Sequence, residues 1–518
     1  MAINKFEHIK AAKHGLDVWP DIQRYAREGW ETITDDDKVR MKWFGLFFRK
    51  HTPGSFMLRV RIPNGMASAW QMRVLAELAD EFCHGELHIT TRQQVQLRWF
   101  RIEQAPALIE CLAAAGLETR QTGMDNIRNV MGCPLAGLTM HEILDASPIV
   151  RELTNSFVGD KALSNLPRKF NIAISACTEN CLHLESQDVA LVPAERRSED
   201  GSAEKGFNVL VGGKMGSGGF TPAQALDAFV RPHEAAEICR HIALLYSDHG
   251  LRQSRSRARL AFMLEEWGIS AFRAELEGRL GRELSAAGWD LRRPHETDHL
   301  GVAPQQQPGF YSVGLAVPVG RLSSAQARAV AELATRYGGS QVRFTPGQNV
   351  VLTHVPDTRL PELLAAPLLQ ELRPDPPQAT RGTVACTGIG LCDLAMTDTK
   401  VDALRVAGRL DGFGLQGPIS INWSGCPAGC GNHQLADIGL QGARARLNGD
   451  VIEVYQVFVG GRAGRAAKAG TEALSAIPAT EIGEVVERLA RARDAGQDLI
   501  DTARQIAAER DQSNQAAA

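Results

Sequence analysis

The chain has 518 residues, of which 44% are hydrophobic and 23% are charged, a composition typical of globular rather than disordered proteins. Its 57 Lys and Arg residues nearly balance its 60 Asp and Glu residues, so the net charge of −3 gives no overall attraction to nucleic acid or an anionic membrane. No apolar stretch is long enough to span a bilayer, and the first residues lack the apolar core of a signal peptide. We therefore expect a cytoplasmic protein with reduced thiols and with neither a nucleic-acid nor a membrane partner.

An internal repeat organises most of the chain. Three pairs of segments share one constant offset of 255 residues: IPNG with VPVG, AELA with its second copy, and TTRQQV with TPGQNV, which begin at 62 and 317, 76 and 331, and 90 and 345. Further along, SACTENC at 175–181 matches SGCPAGC at 424–430. This period is too long for a solenoid. It predicts two related halves packed about a pseudo-twofold axis.

Each half opens with the same predicted order of elements, strand–helix–strand–helix. Alternating apolar and polar residues predict the strands, and apolar residues at helical spacing predict the helices. In the first half these elements are 55–63, 67–82, 87–100 and 103–116, and in the second half they are 310–318, 323–337, 341–355 and 360–372. A Pro-rich linker follows at 373–380, and the residues from about 507 are predicted to fray.

Four cysteines of the second half form two short motifs. Cys386 and Cys392 form C-x5-C in ACTGIGLC, and Cys426 and Cys430 form C-x3-C in SGCPAGCGNH. Four thiolates from two glycine-bearing loops favour an iron–sulfur cluster. Zinc is a competing interpretation, although all-cysteine zinc sites use pairs separated by two to four residues, which a C-x5-C pair does not fit. Four buried structural cysteines are the remaining alternative.

The first half keeps only part of this cysteine pattern. Cys133, Cys177 and Cys181 match three of the four positions, while Thr139 stands where the second half has Cys392. One cluster, held by the second half, is therefore the simpler interpretation. We interpret Cys177 and Cys181 as buried thiols or as lining of a cofactor pocket, with a regulatory disulfide as the alternative.

Basic residues of the first half lie beside its cysteine loops. Arg92, Arg128, Arg168 and Lys169 are each typical of solvent-exposed positions when taken singly. Together they flank Cys133 and Cys177, so pseudo-twofold packing is expected to turn them toward the cluster loops. There they would bind an anionic substrate or the carboxylates of a cofactor. The basic run RQSRSRAR at 252–259 is either a docking patch, a cofactor contact or a solvated helix start.

These motifs together resemble the siroheme-dependent assimilatory nitrite and sulfite reductases. The resemblance covers nearly the whole chain and includes TTRQ, DNIRN, PRKFN and the four-cysteine pattern. It implies a siroheme coupled to a [4Fe–4S] cluster. By this resemblance Cys386, Cys392, Cys426 and Cys430 hold the cluster, and Cys430 also bridges to the siroheme iron. It further implies that Arg92, Arg128 and Lys169 are substrate-pocket cations and that Arg168 contacts siroheme carboxylates.

The resemblance also implies the fold class and the domains. The expected fold is α+β, a pseudo-twofold duplicated protein with ferredoxin-like half-domains and two related siroheme- and cluster-binding α/β domains. The expected parts are an N-terminal segment (1–45), a first ferredoxin-like half-domain (46–118), a siroheme and substrate-pocket domain (119–300), a second half-domain (301–372), a [4Fe–4S] and siroheme domain (373–506) and a flexible tail (507–518).

Asn171, in PRKFN, favours nitrite over sulfite as the substrate. In the family, sulfite reductases tend to carry a second Lys at this position and nitrite reductases an Asn. Sulfite brings more negative charge, so an extra ammonium suits it, whereas a neutral amide can still hydrogen-bond nitrite. The expected activity is the six-electron reduction of nitrite to ammonia.

No flavin or nicotinamide domain is evident, so the resemblance implies ferredoxin as the electron donor of a protein expected to be monomeric. The alternatives are a sulfite reductase hemoprotein, a related oxygenase of corrin biosynthesis and a non-enzymatic iron–sulfur electron-transfer protein. The set of anion-pocket cations argues against the last two.

Overall fold

The computed structural model describes residues 4–197, 201–216, 219–294, 296–447 and 449–517. The chain separates into two compact units. Unit 1 comprises Met1–Lys214, Thr221–Leu315 and Arg321–Glu371, and unit 2 comprises Met215–Phe220, Ala316–Gly320 and Leu372–Ala518. Within the described ranges, none of the helices combines the length and apolar character that crossing a bilayer requires.

Three short helices open unit 1: α1 (Lys5–Ala12), α2 (Trp19–Glu28) and α3 (Asp35–Arg40). Asn4 caps α1 by accepting a hydrogen bond from Phe6 N at 2.9 Å. Thr34 caps α3 by accepting one from Asp37 N at 3.1 Å. Both are residue types whose side chains satisfy the free amides of a first helical turn.

The first repeat contains five strands and two helices: β1 (Leu46–Phe48), β2 (Ser55–Val60), β3 (Met66–Ser68), α4 (Ala69–Phe82), β4 (Glu86–Ile89), β5 (Val95–Arg101) and α5 (Ala105–Ala114). The single strand predicted over 87–100 was wrong, because a tight turn divides it into β4 and β5. The Thr90 hydroxyl accepts hydrogen bonds from Arg92 N and Gln94 N, which folds residues 90–94 back on themselves.

The middle of unit 1 continues with β6 (Met131–Gly132), α6 (Ser147–Phe157), β7 (Ile172–Ile174), β8 (Val189–Arg197), β9 (Ala203–Val211), β10 (Gln224–Val230), α7 (Ala235–His249), α8 (Leu260–Trp267), α9 (Ile269–Leu280) and β11 (Trp289–Asp290). The strands form one sheet in the order β10-β9-β8-β7-β6, and β11 adds to β8. The β6–β7 and β7–β8 pairs are parallel, and the β8–β9 and β9–β10 pairs are antiparallel. Helices α6 and α7 pack their apolar faces on this sheet around Phe170 and Tyr246, whose rings stack at 5.3 Å.

The second repeat follows the order of the first: β12 (Gly301–Pro304), β13 (Phe310–Leu315), β14 (Arg321–Ser323), α10 (Ser324–Tyr337), β15 (Gln341–Phe344), β16 (Val350–Pro356), α11 (Leu360–Leu364) and α12 (Leu368–Glu371). The helix predicted over 360–372 is two short helices, because Pro367 lacks the amide that a continuous helix needs. Matching capping boxes start α4 at Ser68 and α10 at Ser323.

The two repeats of unit 1 exchange strands reciprocally. One antiparallel sheet has the order β1-β2-β5-β4-β14, and the other has the order β12-β13-β16-β15-β3. Each repeat therefore supplies the edge strand of the other repeat's sheet. Gln93 Nε2 donates to Phe344 O at 3.0 Å, and its repeat counterpart Gln348 donates to Ile89 O at 3.0 Å. This twofold reciprocity shows that the repeat found in the sequence is a structural duplication.

Unit 2 contains α13 (Gln378–Gly382), β17 (Thr383–Ala385), α14 (Thr399–Asp411), β18 (Ile421–Ser424), β19 (Ile438–Leu447), β20 (Asp450–Val459), β21 (Thr471–Pro478), α15 (Ile482–Asp494) and α16 (Leu499–Ala517). Its sheet has the order β17-β18-β19-β20-β21, with β17, β18 and β19 parallel and the rest antiparallel. This is the same arrangement as β6-β7-β8-β9-β10 in unit 1. Trp423 and Tyr455 meet edge to face in the core, and α16 adds Ile506 to it.

Replacing Gln348 by Met removes a hydrogen-bond donor from the contact between the two repeats. Ile89 is buried, so its carbonyl would lose its partner without access to water. We expect the free energy of unfolding, measured by urea denaturation, to fall by about 1–3 kcal/mol. The same change at the exposed Gln497 is the control and is expected to alter it by less than about 0.5 kcal/mol. Equal effects of the two substitutions would contradict this role for Gln348.

Candidate functional site

The four cysteines of the second half lie on two loops that leave one edge of the unit 2 sheet. Strands β17 and β18 are parallel, with Ala385 paired to Trp423, and Cys386 follows directly after β17. Cys426 follows β18 after a single glycine. Because the carboxyl ends of parallel strands meet at the same edge, strand pairing brings the C-x5-C and C-x3-C motifs together.

The backbone of these loops donates to the cysteine sulfur. Gly425 N donates to Cys386 Sγ at 3.1 Å, and Cys386 N donates to Trp423 O at 2.9 Å. The Thr399 hydroxyl lies 3.7 Å from the same sulfur and donates to Cys386 O at 2.8 Å. Amide donors of this kind stabilise negative charge on sulfur. The geometry therefore suits Cys386 as a thiolate ligand.

Burial and the neighbouring thiols raise the pKa of Cys386 and of Cys426. Burial, assisted by the charge of Cys430, raises the pKa of Cys386 to about 11. Burial likewise raises the pKa of Cys426 to about 12, and the other three thiols, Cys392 among them, add to the shift. This mutual influence shows that the four sulfur atoms lie within electrostatic range of one another. Binding iron must displace their protons.

Glycines allow the second loop to turn sharply against the sheet. Gly429 has φ +66°, a conformation that L-residues rarely adopt. A Cβ at Gly431 would lie 2.1 Å from Trp423 O, so no larger residue fits there. The C-x3-C loop is therefore held close to the end of β18.

The predicted cations of the first half converge around Arg128 in unit 1. Burial lowers the pKa of Arg128 well below its ordinary value, and the charges of Arg59, Arg92 and Arg168 lower it further. Burial also lowers the pKa of Arg168. The structure thus brings three of the predicted cations together and adds Arg59, which the sequence analysis missed. Such a concentration of positive charge favours an anionic ligand.

Side chains of the DNIRN motif donate to backbone carbonyl groups around it. Arg128 donates to Thr122 O and, at 2.8 Å, to Met124 O. The side-chain amide of Asn129 donates to Ile62 O at 2.7 Å and to Arg92 O at 3.0 Å. Asn129 therefore ties the turn that carries Arg92 to the segment that carries Arg128.

The sequence analysis also missed Arg61, whose side chain holds the DNIRN motif in place. Arg61 is 1% exposed, and its guanidinium donates to Arg128 O at 2.6 Å and to Ile127 O and Arg120 O at 3.2 Å each. It also lies over the ring of Phe157 at 5.0 Å. Arg61 is a positioning residue, because its guanidinium donates hydrogen bonds to backbone carbonyl groups of the motif and of Arg120.

The PRKFN segment runs beside DNIRN. Arg128 N donates to Phe170 O at 2.8 Å, and Phe170 N donates to Asn126 O at 3.0 Å. Phe170 is buried in the core, so Lys169 and Asn171, its two neighbours along the extended chain, point the opposite way. Asn171 is 3% exposed, and its backbone amide donates to Asp188 at 2.8 Å.

The basic run at 252–259 forms ion pairs with carboxylates that support this region. Arg255 makes two hydrogen bonds of 2.8 Å to the buried Asp125, which also accepts one from Lys10 at 3.2 Å. Arg259 binds the buried Asp188 through two hydrogen bonds of 2.9 and 2.8 Å. Arg255 and Arg259 are therefore structural ion-pair partners, whereas Arg257 is exposed and agrees with a solvated segment before α8.

Two buried polar atoms near this cation group are available to a bound ligand. Arg128 Nε and Asn171 Oδ1 are among the described buried atoms that lack a hydrogen-bond partner; the first can donate to an anion, and the second can accept from a donor. Buried polar groups are nearly always paired, so unpaired ones at a cationic site indicate a place for a ligand. The expectation that these cations face the cysteine loops of the second half stays a prediction.

Comparison with known proteins decides the family. Residues 123–284 and 378–496 match the nitrite and sulphite reductase 4Fe-4S domain, and residues 48–115 and 303–369 match the nitrite/sulfite reductase ferredoxin-like half domain. The chain belongs to the nitrite and sulphite reductase family. Siroheme and a [4Fe–4S] cluster are the cofactors of this family, and the α+β fold with ferredoxin-like half-domains is confirmed.

Individual relatives agree with this family. The chain is 42% identical over 468 residues to a ferredoxin–nitrite reductase of Synechococcus elongatus, covering 89% of this chain and 90% of that protein. It is 40% identical to a chloroplastic ferredoxin–nitrite reductase of Zea mays, covering 89% and 84% of the two chains. The solved structure of the NirA protein of Mycobacterium tuberculosis superposes with a TM-score of 0.89 at 32% identity, covering 96% and 95%.

Replacing Arg61 by Met should loosen the DNIRN segment, because three carbonyl groups, of which that of Ile127 is in a buried contact, lose their common donor. We expect the free energy of unfolding to fall by about 3 kcal/mol in urea denaturation. Arg101 is the matched control, since its side chain is 56% exposed, and Arg101→Met is expected to change the value by less than about 0.5 kcal/mol. A wild-type stability for Arg61→Met would show that these hydrogen bonds do not hold the motif.

Proposed function

We propose that this protein is a ferredoxin-dependent nitrite reductase that reduces nitrite to ammonia. The observation that carries the proposal is the group of cations around Arg128, beside a buried neutral Asn171, in a chain of this family. Relatives named ferredoxin–nitrite reductase cover about nine-tenths of the chain, which supports nitrite as the substrate and ferredoxin as the donor.

The residues proposed to hold the cofactors lie in both units. In unit 2, Cys386, Cys392, Cys426 and Cys430 would hold the [4Fe–4S] cluster, and Cys430 would also be a ligand of the siroheme iron. In unit 1, Arg168 binds siroheme carboxylates. The cysteine loops at one sheet edge and the amide donated to Cys386 Sγ support the first assignment. When bound, these groups supply single-electron transfer and an iron atom that keeps one nitrogen through all the reduction steps.

The chain's own residues supply binding, charge and protons. Arg92, Arg128 and Lys169 are proposed to bind the nitrite oxygens and to offset their negative charge as electrons arrive. Reduction of nitrite to ammonia removes both oxygens as water, so each N–O cleavage needs protons at the departing oxygen. Lys169 is proposed to deliver these protons, because an ammonium group can donate and be recharged from solvent, whereas a guanidinium does not readily lose its proton.

Asn171 is proposed to select nitrite over sulfite. Its amide is buried, so a lysine in its place would bring one more positive charge into a site that already concentrates cations. Nitrite is a monoanion at neutral pH, and an amide donor is enough to hold it. Sulfite reduction is the second candidate function, and it shares every cofactor residue.

Localisation, oligomeric state and domain limits complete the proposal. The protein is proposed to be a cytoplasmic monomer that acts without nucleic acid. The boundaries predicted from the sequence at 45, 118, 300 and 372 are proposed as the limits of its functional domains. The flexible tail predicted for 507–518 was wrong as far as Ala517, because α16 continues through these residues. An isolated electron-transfer role is not favoured, because it would leave the cations around Arg128 without a purpose.

Turnover of the siroheme-loaded enzyme with reduced methyl viologen tests the proposed substrate. Nitrite and sulfite are supplied separately, and ammonia and sulfide are measured as products. We expect kcat/KM for nitrite to exceed that for sulfite by at least about a hundredfold, corresponding to about 2.7 kcal/mol of discrimination. A preference for sulfite would overturn the substrate and leave the cofactor residues in place.

The substitution Asn171→Lys tests what selects the anion. We expect the ratio of kcat/KM for sulfite to that for nitrite to rise by about tenfold or more, since added positive charge stabilises the more highly charged anion. Ala162→Lys adds the same charge at an exposed position and is the control, with an unchanged ratio expected. An unchanged ratio in both variants would assign selectivity to other residues.

A further inference from the structure

The first-half counterparts of the cluster cysteines form a compact group of their own in unit 1. Cys133 follows β6 as Cys386 follows β17, and Cys177 and Cys181 follow β7 as Cys426 and Cys430 follow β18. These three thiols are buried. The sulfur atoms of Cys133 and Cys181 and a ring nitrogen of His299 all lie within 4.8 Å of one another.

His299 supplies the third ligand atom of this group. His299 Nε2 lies 3.7 Å from Cys133 Sγ. Thr139, at the position matching Cys392, uses its hydroxyl to accept a hydrogen bond from His141 N at 3.3 Å. The thiol of Cys177 interacts electrostatically with that of Cys133 but lies outside the mutually close set. Two thiols and one imidazole therefore converge, with a third thiol beside them.

The spacing of these atoms fits one tetrahedral metal ion. Zn²⁺ binds cysteine sulfur at about 2.3 Å and histidine nitrogen at about 2.0–2.1 Å, so the S···N edge of a tetrahedral site is about 3.6 Å and the S···S edge about 3.8 Å. The observed 3.7 Å between Cys133 Sγ and His299 Nε2 matches the first of these edges. Cys177 and Cys181 also form a C-x3-C pair, within the usual range for zinc ligands.

The distances between ligand atoms distinguish this group from the cluster loops. Within the described ranges of the chain, no other three cysteine, histidine or acidic side chains bring their ligand atoms within 4.8 Å of one another, and the cysteines from Cys386 to Cys430 do not. A [4Fe–4S] cluster places four irons and four sulfides between its thiolates and holds them farther apart. The first-half group is too compact for a cluster and suits a single ion.

The surroundings can balance the charge of such a site. Three thiolates and a neutral imidazole around Zn²⁺ carry a net charge of −1. Arg343, on β15, is buried, donates to Pro134 O at 3.0 Å, and interacts electrostatically with Cys133. Burial lowers the pKa of Arg343 to about 10, which leaves it a cation at neutral pH. A buried cation beside the sulfur atoms offsets the negative charge that metal binding would create.

We propose that Cys133, Cys181 and His299 bind one structural Zn²⁺ ion and that the neighbouring thiol of Cys177 is drawn in as its fourth ligand. Binding takes up one Zn²⁺, forms three Zn–S bonds and one Zn–N bond, and releases the three thiol protons to solvent. The ion joins the loops after β6 and β7 to the segment that precedes β12. All four side chains belong to unit 1, whereas the cysteines proposed to hold the cluster belong to unit 2.

Metal analysis of the purified holoenzyme tests this site. Zinc and iron per chain are measured by mass spectrometry after growth with added zinc. We expect about one zinc per chain in the wild type and less than about 0.1 in Cys133→Ser, with unchanged cluster iron. Cys386→Ser is the matched variant in the other repeat, and it should lose cluster iron while keeping its zinc. Cys239→Ser, a buried cysteine elsewhere in unit 1, should keep both metals.

A measurement on the wild type keeps the test decisive where Cys133→Ser fails to fold. X-ray absorption at the zinc edge is expected to show three sulfur neighbours near 2.3 Å and one nitrogen near 2.0 Å. Zinc below about 0.1 per chain in the wild type, zinc bound only by oxygen and nitrogen, or a disulfide between two of these cysteines would overturn the proposal. Undiminished zinc in a folded Cys133→Ser protein would also overturn it.

Discussion

Positive charge concentrated around Arg128 is the constraint on which the structure of unit 1 depends. Removing several guanidinium groups from water is costly unless each finds partners. Backbone carbonyl groups are the partners of Arg61 and Arg128. The buried carboxylates of Asp125 and Asp188 are the partners of the neighbouring arginines. Segments as far apart as α1, the DNIRN motif and the basic run before α8 are thereby tied together, so the cations are in place before any anion arrives.

Duplication provided two copies of one cofactor-binding topology, which then diverged. The sheets β6-β7-β8-β9-β10 and β17-β18-β19-β20-β21 have the same strand order and the same parallel and antiparallel pairs. Cysteines follow the corresponding strands in both. In unit 2 their sulfur atoms stand farther apart, with an amide donor at Cys386, whereas in unit 1 those of Cys133 and Cys181 converge with a ring nitrogen of His299. One fold thus carries two different kinds of ligand geometry.

Local patterns in the sequence predicted the duplication and several helices. The repeat offset led to the duplicated topology, and helical periodicity located α4 and α10. The sequence did not reveal that Arg59 and Arg61 belong to the site, because an arginine in or beside an alternating strand is usually exposed to solvent. The partners of Arg255 and Arg259 are 130 and 71 residues away in the chain, so local patterns could not show that the basic run forms ion pairs. Likewise, nothing near His299 in the sequence links it to Cys133.

The electron count of nitrite reduction tests the central claim most directly. The siroheme-loaded enzyme is mixed anaerobically with a known amount of reduced viologen and with ¹⁵N-labelled nitrite. The account predicts that six electrons are consumed for each nitrite and that one labelled ammonium is formed, with no free intermediate. Nitric oxide or hydroxylamine as the main product, at fewer electrons per nitrite, would contradict it.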